Sequence, residues 1–173
     1  LHSMDSTIGQ KKTKLMTERL MDINPELNLT SIEKFIEPDE MIKLIESEKY
    51  DFIMDCIDSV QPKLNLIIIA RRMKYKFISA MGAGGKMDPS KIKIADISKT
   101  KDCKFAQQVR KELKKIGIEN RVLTVYSDEI QKNSSLALTD GSRYKKSYYG
   151  TISYIPAMFG LTMAGEVIRR LLK

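Results

Sequence analysis

Histidine is almost absent from this 173-residue chain: His2 stands alone in the terminal stretch, so a Ser-His-Asp or Cys-His mechanism within it is not expected. Tryptophan is missing altogether. Cysteine occurs twice, at Cys56 and Cys103, with no CxxC pair; a four-cysteine zinc site is excluded and a reducing compartment fits. Hydrophobic runs are short. The longest, Ile152 to Gly165, contains Pro156 and cannot span a bilayer. No apolar run follows Lys11, Lys12 and Lys14 as it would in a signal peptide, so a cytoplasmic protein is expected. There is no GxGxxG motif, internal repeat or low-complexity segment.

What is present in excess is positive charge. Thirty Lys and Arg against 22 Asp and Glu give +8 and a pI near 9.4. That balance favours polyanionic partners, nucleic acid above all, although a solvated basic surface gives the same composition. At 42% hydrophobic the chain can bury one ordinary core.

The pattern along the chain alternates. Thr7-Ile8-Gly9-Gln10 has the form of a capping box, opening a helix that carries Leu15, Leu20 and Ile23 inward and stops at Asn24-Pro25. Leu27 to Ile32 alternates like a strand. Pro38-Asp39 opens a second helix, with Met41, Ile42, Leu44 and Ile45 on one face. A strand over 51–57, a helix whose first turn holds Pro62, and a strand from Phe77 to Met81 complete a βαβ pattern. Further on, Ile92, Ile94 and Ile97 predict a strand, Lys104 to Lys115 a charged amphipathic helix ended by Gly117, and Arg121 to Tyr126 another strand. Residues 128–150 read as a long mobile loop, and a closing helix runs from about Pro156 to Leu172, its Gly160, Ala164 and Gly165 allowing close approach to the sheet.

Three places could carry chemistry. In "YDFIMDCIDS", an apolar strand runs into Asp55 and Asp58; at the carboxyl end of a central parallel strand these would face a nucleotide, with Asp58 holding Mg²⁺. The alternative is that both carboxylates cap the next helix, with Ser59 assisting. Second, Lys11, Lys12 and Lys14 crowd the start of the first helix, where cations oppose the macrodipole unless an anion is bound. Third, "GSRYKKSYYG" interleaves Arg143, Lys145 and Lys146 with Tyr144, Tyr148 and Tyr149, an arrangement suited to single-stranded RNA, although mobile loops are often basic without such a role. Gly82-Ala83-Gly84-Gly85 leads into another strand rather than a helix, so it reads as a tight turn and not a phosphate cradle. Cys56 is expected to be a buried apolar filler and Cys103 to be exposed.

"TIGQKK", "ERLMDINPELNLT", "DFIMDCIDSVQPK" and "FISAMGAGGKMDPSKIKIADISKTKDC", in that order, resemble the ThiF/MoeB/HesA superfamily of adenylating enzymes, relatives of the ubiquitin-activating enzymes. Within it, "GAGGKMDPSKI…DISKT" and "GTISYIPAMFGLTMAGEVIRRLL" most resemble the branch of tRNA threonylcarbamoyladenosine dehydratases. The similarity runs from about Ser6 to Leu172.

The resemblance implies an α/β, Rossmann-like, mostly parallel sheet flanked by helices, with a mixed or antiparallel extension. Residues 1–81 would be the second half of the nucleotide-binding unit and 82–173 the extension. It implies ATP and Mg²⁺, no zinc, and adenylation of a carboxylate with release of pyrophosphate. Lys12 would lie on the phosphates, Asp58 near Mg²⁺ and the α-phosphate, and Ser59 where relatives often carry Asn. In the dehydratase branch the carboxylate is that of threonylcarbamoyladenosine at position 37 of tRNA, which then cyclises with loss of water. Arg143, Tyr144, Lys145 and Lys146 are the candidate RNA contacts, and a homodimer is usual in the superfamily. Two alternatives remain: adenylation of a ubiquitin-like sulfur-carrier protein, or a non-catalytic module that docks tRNA or a sulfur-transfer partner. The family's first βαβ unit, with its Gly-rich loop, has no counterpart here, so the chain is expected to be part of a longer protein.

Overall fold

The segment from Lys12 to Ile23 has the composition of a solvent-facing helix and forms one, α1 (Lys12–Ile23), with no buried residue. A computed structural model describes residues 4–131, 136–138 and 147–173. The chain divides into two units, Leu1–Ile36 and Glu37–Lys173, and α1 belongs to the first. The helix starts later than the sequence predicts. Thr7 closes a short 3-10 turn by accepting the Met4 N–H at 3.0 Å, Gly9 turns the chain at φ +86°, and Lys11 precedes α1 without a side-chain cap. Ile23, expected inside, is 70% exposed, while Leu15 and Leu20 are half-buried. No strand forms over 27–32. A period of two makes a strand only where a second strand takes up its N–H and C=O groups, and none of the described residues does so.

The second unit follows the alternation closely. Its elements are α2 (Pro38–Ser47), β1 (Ile53–Asp55), α3 (Val60–Arg72), β2 (Phe77–Ala80), β3 (Ile92–Asp96), α4 (Lys104–Lys115), β4 (Leu123–Ser127), β5 (Leu136–Leu138), β6 (Ser147–Tyr149) and α5 (Tyr154–Leu171). Four strands form one sheet in the order β1-β2-β4-β3, with β1, β2 and β4 parallel and β3 antiparallel to β4. β1, expected to be central, is one edge of this sheet. Within 128–150, read as loop, β5 and β6 pair antiparallel.

Helices cover both faces. Leu64 and Ile67 of α3 and Ala106, Val109 and Leu113 of α4 pack with Val122 and Tyr126 on one side. On the other, α5 lays Ile155, Phe159, Met163 and Val167 against Ile78 and Val125. That four-residue spacing is one stripe of a helix. It is the large residues of α5 that meet the sheet. A Cβ added at Gly160 or Gly165 would touch nothing within 4 Å, so the small residues do not serve close approach, as the sequence suggested.

Candidate functional site

Asp55 ends β1, and Ser79 of β2 is its register partner, so both side chains leave the parallel strands on one face. The first turn of α3 crosses that face and supplies Lys63. Its Nζ donates to Asp55 Oδ2 at 2.6 Å and to Ser79 Oγ at 3.1 Å. The Ser79 hydroxyl donates to the same Oδ2 at 2.5 Å, and the Ile57 N–H reaches Asp55 Oδ1 at 2.9 Å. Lys63 and Asp55 side chains are both 0% exposed. Burial pushes the Lys63 pKa down, against the pull of the Asp55 carboxylate.

This cluster explains why an apolar strand ends in the first of the two carboxylates. Asp55 is the internal counter-ion of Lys63 and is not available to a ligand. Asp58 is exposed, three residues further on and within electrostatic reach of Lys63. Asp55 does not cap the helix, since it turns to Lys63, and Ser59, the residue before α3, makes no side-chain bond to the helix N–H groups. Asp58 and Ser59 therefore stand beyond the carboxyl ends of β1 and β2, at the amino end of a 13-residue helix, where anions are favoured. Among the described residues no three His, Cys, Asp or Glu side chains converge on a metal position. A Mg²⁺ ion fits such a place, since it takes one or two carboxylates and completes its shell with phosphate oxygens and water. Asp58 is the residue that would hold it.

Lys12 lies in the first unit, exposed, as the first residue of α1. Its neighbours are committed elsewhere: Lys11 pairs with Glu33, and Lys14 lies 3.8 Å from Glu18. No carboxylate of the described residues pairs with Lys12. Of the three lysines it is the one whose charge at a helix start is left uncompensated.

The Gly82–Gly85 segment is a tight turn, as expected, with Gly85 at φ +69°. It needs its glycines for packing as well. A Cβ on Gly84 would come within 2.8 Å of the Tyr149 Cβ, and Gly85 N–H bonds to the Gly150 carbonyl at 2.8 Å. Next to it Lys86 is buried, donating to the carbonyls of Ser127 at 3.1 Å and Glu129 at 2.5 Å. Burial pushes its pKa down, opposed by the surrounding acidic groups.

The two cysteines exchange their expected places. Cys56, the outward position after Asp55, is exposed, and Cys103 is buried at the start of α4. Strand alternation sends Cys56 outward once Asp55 points in. Partial burial of its sulfur and the Asp55 carboxylate push the Cys56 thiol up, away from the reactive thiolate. Arg143, Tyr144, Lys145 and Lys146, the expected RNA contacts, lie outside the described residues. Sequence reading missed Lys63, Ser79 and Lys86. A lysine directly before the apolar run Leu64, Leu66 and Ile67, five residues after Asp58, was the available signal for the first.

The sequence matches the ThiF family over residues 2–173. It is 34% identical over 180 residues to the tRNA threonylcarbamoyladenosine dehydratase of Bacillus subtilis, covering 100% of this chain and 70% of that protein. The fold resembles the crystal structure of the Escherichia coli tRNA N6-threonylcarbamoyladenosine dehydratase TcdA in complex with AMP, with TM-score 0.85 and 29% identity over 99% of this chain and 68% of that one. The ATP complex of the same enzyme gives TM-score 0.83 at 29% identity, over 99% of this chain and 68% of that one. No helix among the described residues is long and apolar enough to cross a membrane.

Proposed function

The chain belongs to the ThiF family, and from that premise we propose that it serves the ATP-dependent dehydration of threonylcarbamoyladenosine at position 37 of tRNA, in the cytoplasm. The observation that carries the reading is Asp58 and Ser59 beyond the carboxyl ends of β1 and β2, within a fold that matches a dehydratase binding AMP. A threonine carboxylate oxygen attacks the α-phosphorus of ATP, the bond to the β-phosphate oxygen breaks, and pyrophosphate leaves. The carbamoyl group of the same nucleoside then attacks the acyl carbon, the acyl–oxygen bond breaks and AMP leaves. Hydroxide is a poor leaving group and AMP a good one, so the net loss of water is driven by ATP.

In this reading Lys12 neutralises phosphate oxygens, for which its uncompensated charge at the start of α1 is the support. Mg²⁺, when bound, would offset the charge accumulating on the phosphates, and Asp58 is its protein ligand. Ser59 stands beside Asp58 to donate to a phosphate oxygen. Lys63 acts through position alone, locking the strand ends under the 55–59 loop. Residues 1–81 serve the nucleotide, as the second half of its binding unit, and 82–173 are the extension.

We also infer a homodimer with a second copy of the chain. On the outer face of α5, Tyr154, Met158, Leu161, Ile168 and Leu172 are exposed at the four-three spacing of a self-complementary seam. Leu161→Lys should turn a dimer into a monomer by light scattering; an unchanged mass would sink this surface.

The experiment is turnover of modified tRNA, read as conversion of threonylcarbamoyladenosine to its dehydrated form together with pyrophosphate. Asp58→Ala and Lys12→Ala should each lower turnover by about 10²-fold or more, the scale of losing one charge-stabilising group. Unchanged turnover in either removes that residue from the site. Pyrophosphate exchange that responds to a ubiquitin-like sulfur-carrier protein and not to tRNA would replace the reading with the alternative.

A further inference from the structure

Between Lys99 and Lys115 the chain carries seven cations and two carboxylates, so one short stretch holds a net +5 of the total +8. Part of this charge is structural. Arg110 donates to the carbonyls of Ile97 at 3.2 Å and Thr100 at 3.0 Å, Lys115 lies 2.7 Å from Glu112, and Lys114 3.9 Å from Glu119. Lys99, Lys101 and Lys111 are different. All three are exposed, and among the described residues no carboxylate pairs with them. Lys104, the first residue of α4, places its ammonium 3.4 Å from Tyr149 Oη and 6.0 Å from the ring centroid.

The geometry gives these cations a direction. Lys104 and Lys111, seven apart, share one face of α4, with Gln107 and Gln108 exposed between them. Thr100, bonded to Arg110, keeps the Lys99–Lys101 segment beside the middle of the same helix. The amino end of α4 stands at the same end of the sheet as Asp58. Phe105 lies under the Lys63 ammonium at 5.8 Å, and Gly82, just past β2, faces the Phe105 Cβ. The cationic face therefore begins at the rim of the candidate site and runs away from it along α4. It lacks the buried aromatic or aliphatic anchors around which protein partners are held. Point charges separated by amides, with one half-buried tyrosine at the end nearest the chemistry, match phosphates plus an unstacked base.

We infer that the α4 face bearing Lys104 and Lys111, with Lys99 and Lys101 beside it, docks the phosphate backbone of the substrate RNA, and that Tyr149 receives a base next to the modified nucleoside. The inference rests on the tRNA reading above and adds the surface, which is separate from residues 141–146. The test is binding of unmodified tRNA transcript across a salt series, by fluorescence anisotropy, for the chain and its Lys99→Gln/Lys101→Gln/Lys111→Gln variant. Losing three phosphate contacts should weaken binding roughly tenfold or more and flatten the plot of log affinity against log salt by about 2. Tyr149→Ala should weaken binding of an anticodon stem-loop without changing that slope. Binding of a fluorescent ATP analogue should be the same in all variants, since none of these residues is placed on the nucleotide. A wild-type chain that binds tRNA while the triple variant keeps its affinity, or its slope, overturns the surface and leaves the dehydratase reading standing. A wild-type chain that does not bind tRNA overturns both.

Discussion

Lys63 and Lys86 are both buried, and the chain neutralises them in different ways. Lys63 meets a carboxylate and a hydroxyl already aligned by the register of two parallel strands. Lys86 meets the carbonyls of Ser127 and Glu129, while the Glu129 carboxylate is turned to the N–H groups of Met87 and Asp88 at 2.8 Å. The first is an ion pair under the loop that carries Asp58. The second is an ammonium among backbone dipoles, joining the glycine turn to the chain that leaves β4. An ion pair fails abruptly when one partner is removed, because the other is left charged and dry. A pair of carbonyls loses its bonds but no counter-charge. The site end of the sheet is accordingly the less forgiving of the two.

Lys63→Met should have the largest effect, about 3–5 kcal/mol, because it strands the Asp55 carboxylate. Adding Asp55→Leu should recover much of it, and urea unfolding of the single and double variants measures both. A single variant within about 1 kcal/mol of wild type would erase the distinction drawn here. Lys86→Met should cost less, about 2–3 kcal/mol, from two carbonyls left without a donor; parity with Lys63→Met would break the comparison. Gly84→Ala tests the same turn by volume. Its Cβ would meet the Tyr149 Cβ at 2.8 Å, so a loss of about 1–2 kcal/mol is expected, and a stabilised variant would show that the hairpin gives way.

The smallest effect is in pH. Lys86 is held below its ordinary 10.5. Between the lowered value and 10.5 the unfolded chain binds the extra proton, so stability rises with pH through that window. Lys86→Met removes this gain, and the urea midpoints of wild type and variant should diverge in favour of wild type as pH climbs toward 10.5. Parallel midpoints would mean that Lys86 does not titrate below its unfolded value.

The same contrast governs what the sequence reveals. Elements that follow from periodicity were legible: α4 was predicted over Lys104–Lys115 and found there, and the βαβ alternation placed β1, α3 and β2 within a few residues. That Asp58 and Ser59 lie between a strand end and a helix start was legible because such a junction is a local pattern. Lys63–Asp55–Ser79 was not, because it depends on the pairing of Asp55 with Ser79, a contact between residues far apart in the chain. The α5 glycines misled for a related reason. Small residues permit close approach but do not require it, and the Ile155-Phe159-Met163-Val167 stripe already filled the contact with the sheet. The strand over 27–32 failed because alternation carries no information about a partner.

The central claim is that ATP activates a carboxylate of the RNA by transfer of AMP. It is tested most directly by placing heavy oxygen in the threonine carboxyl group of modified tRNA and following it through one turnover. The account predicts one heavy oxygen in the phosphate of AMP, with unlabelled pyrophosphate released, and loss of that labelling in Asp58→Ala. Heavy oxygen in inorganic phosphate with ADP as product, or in water alone, would contradict it.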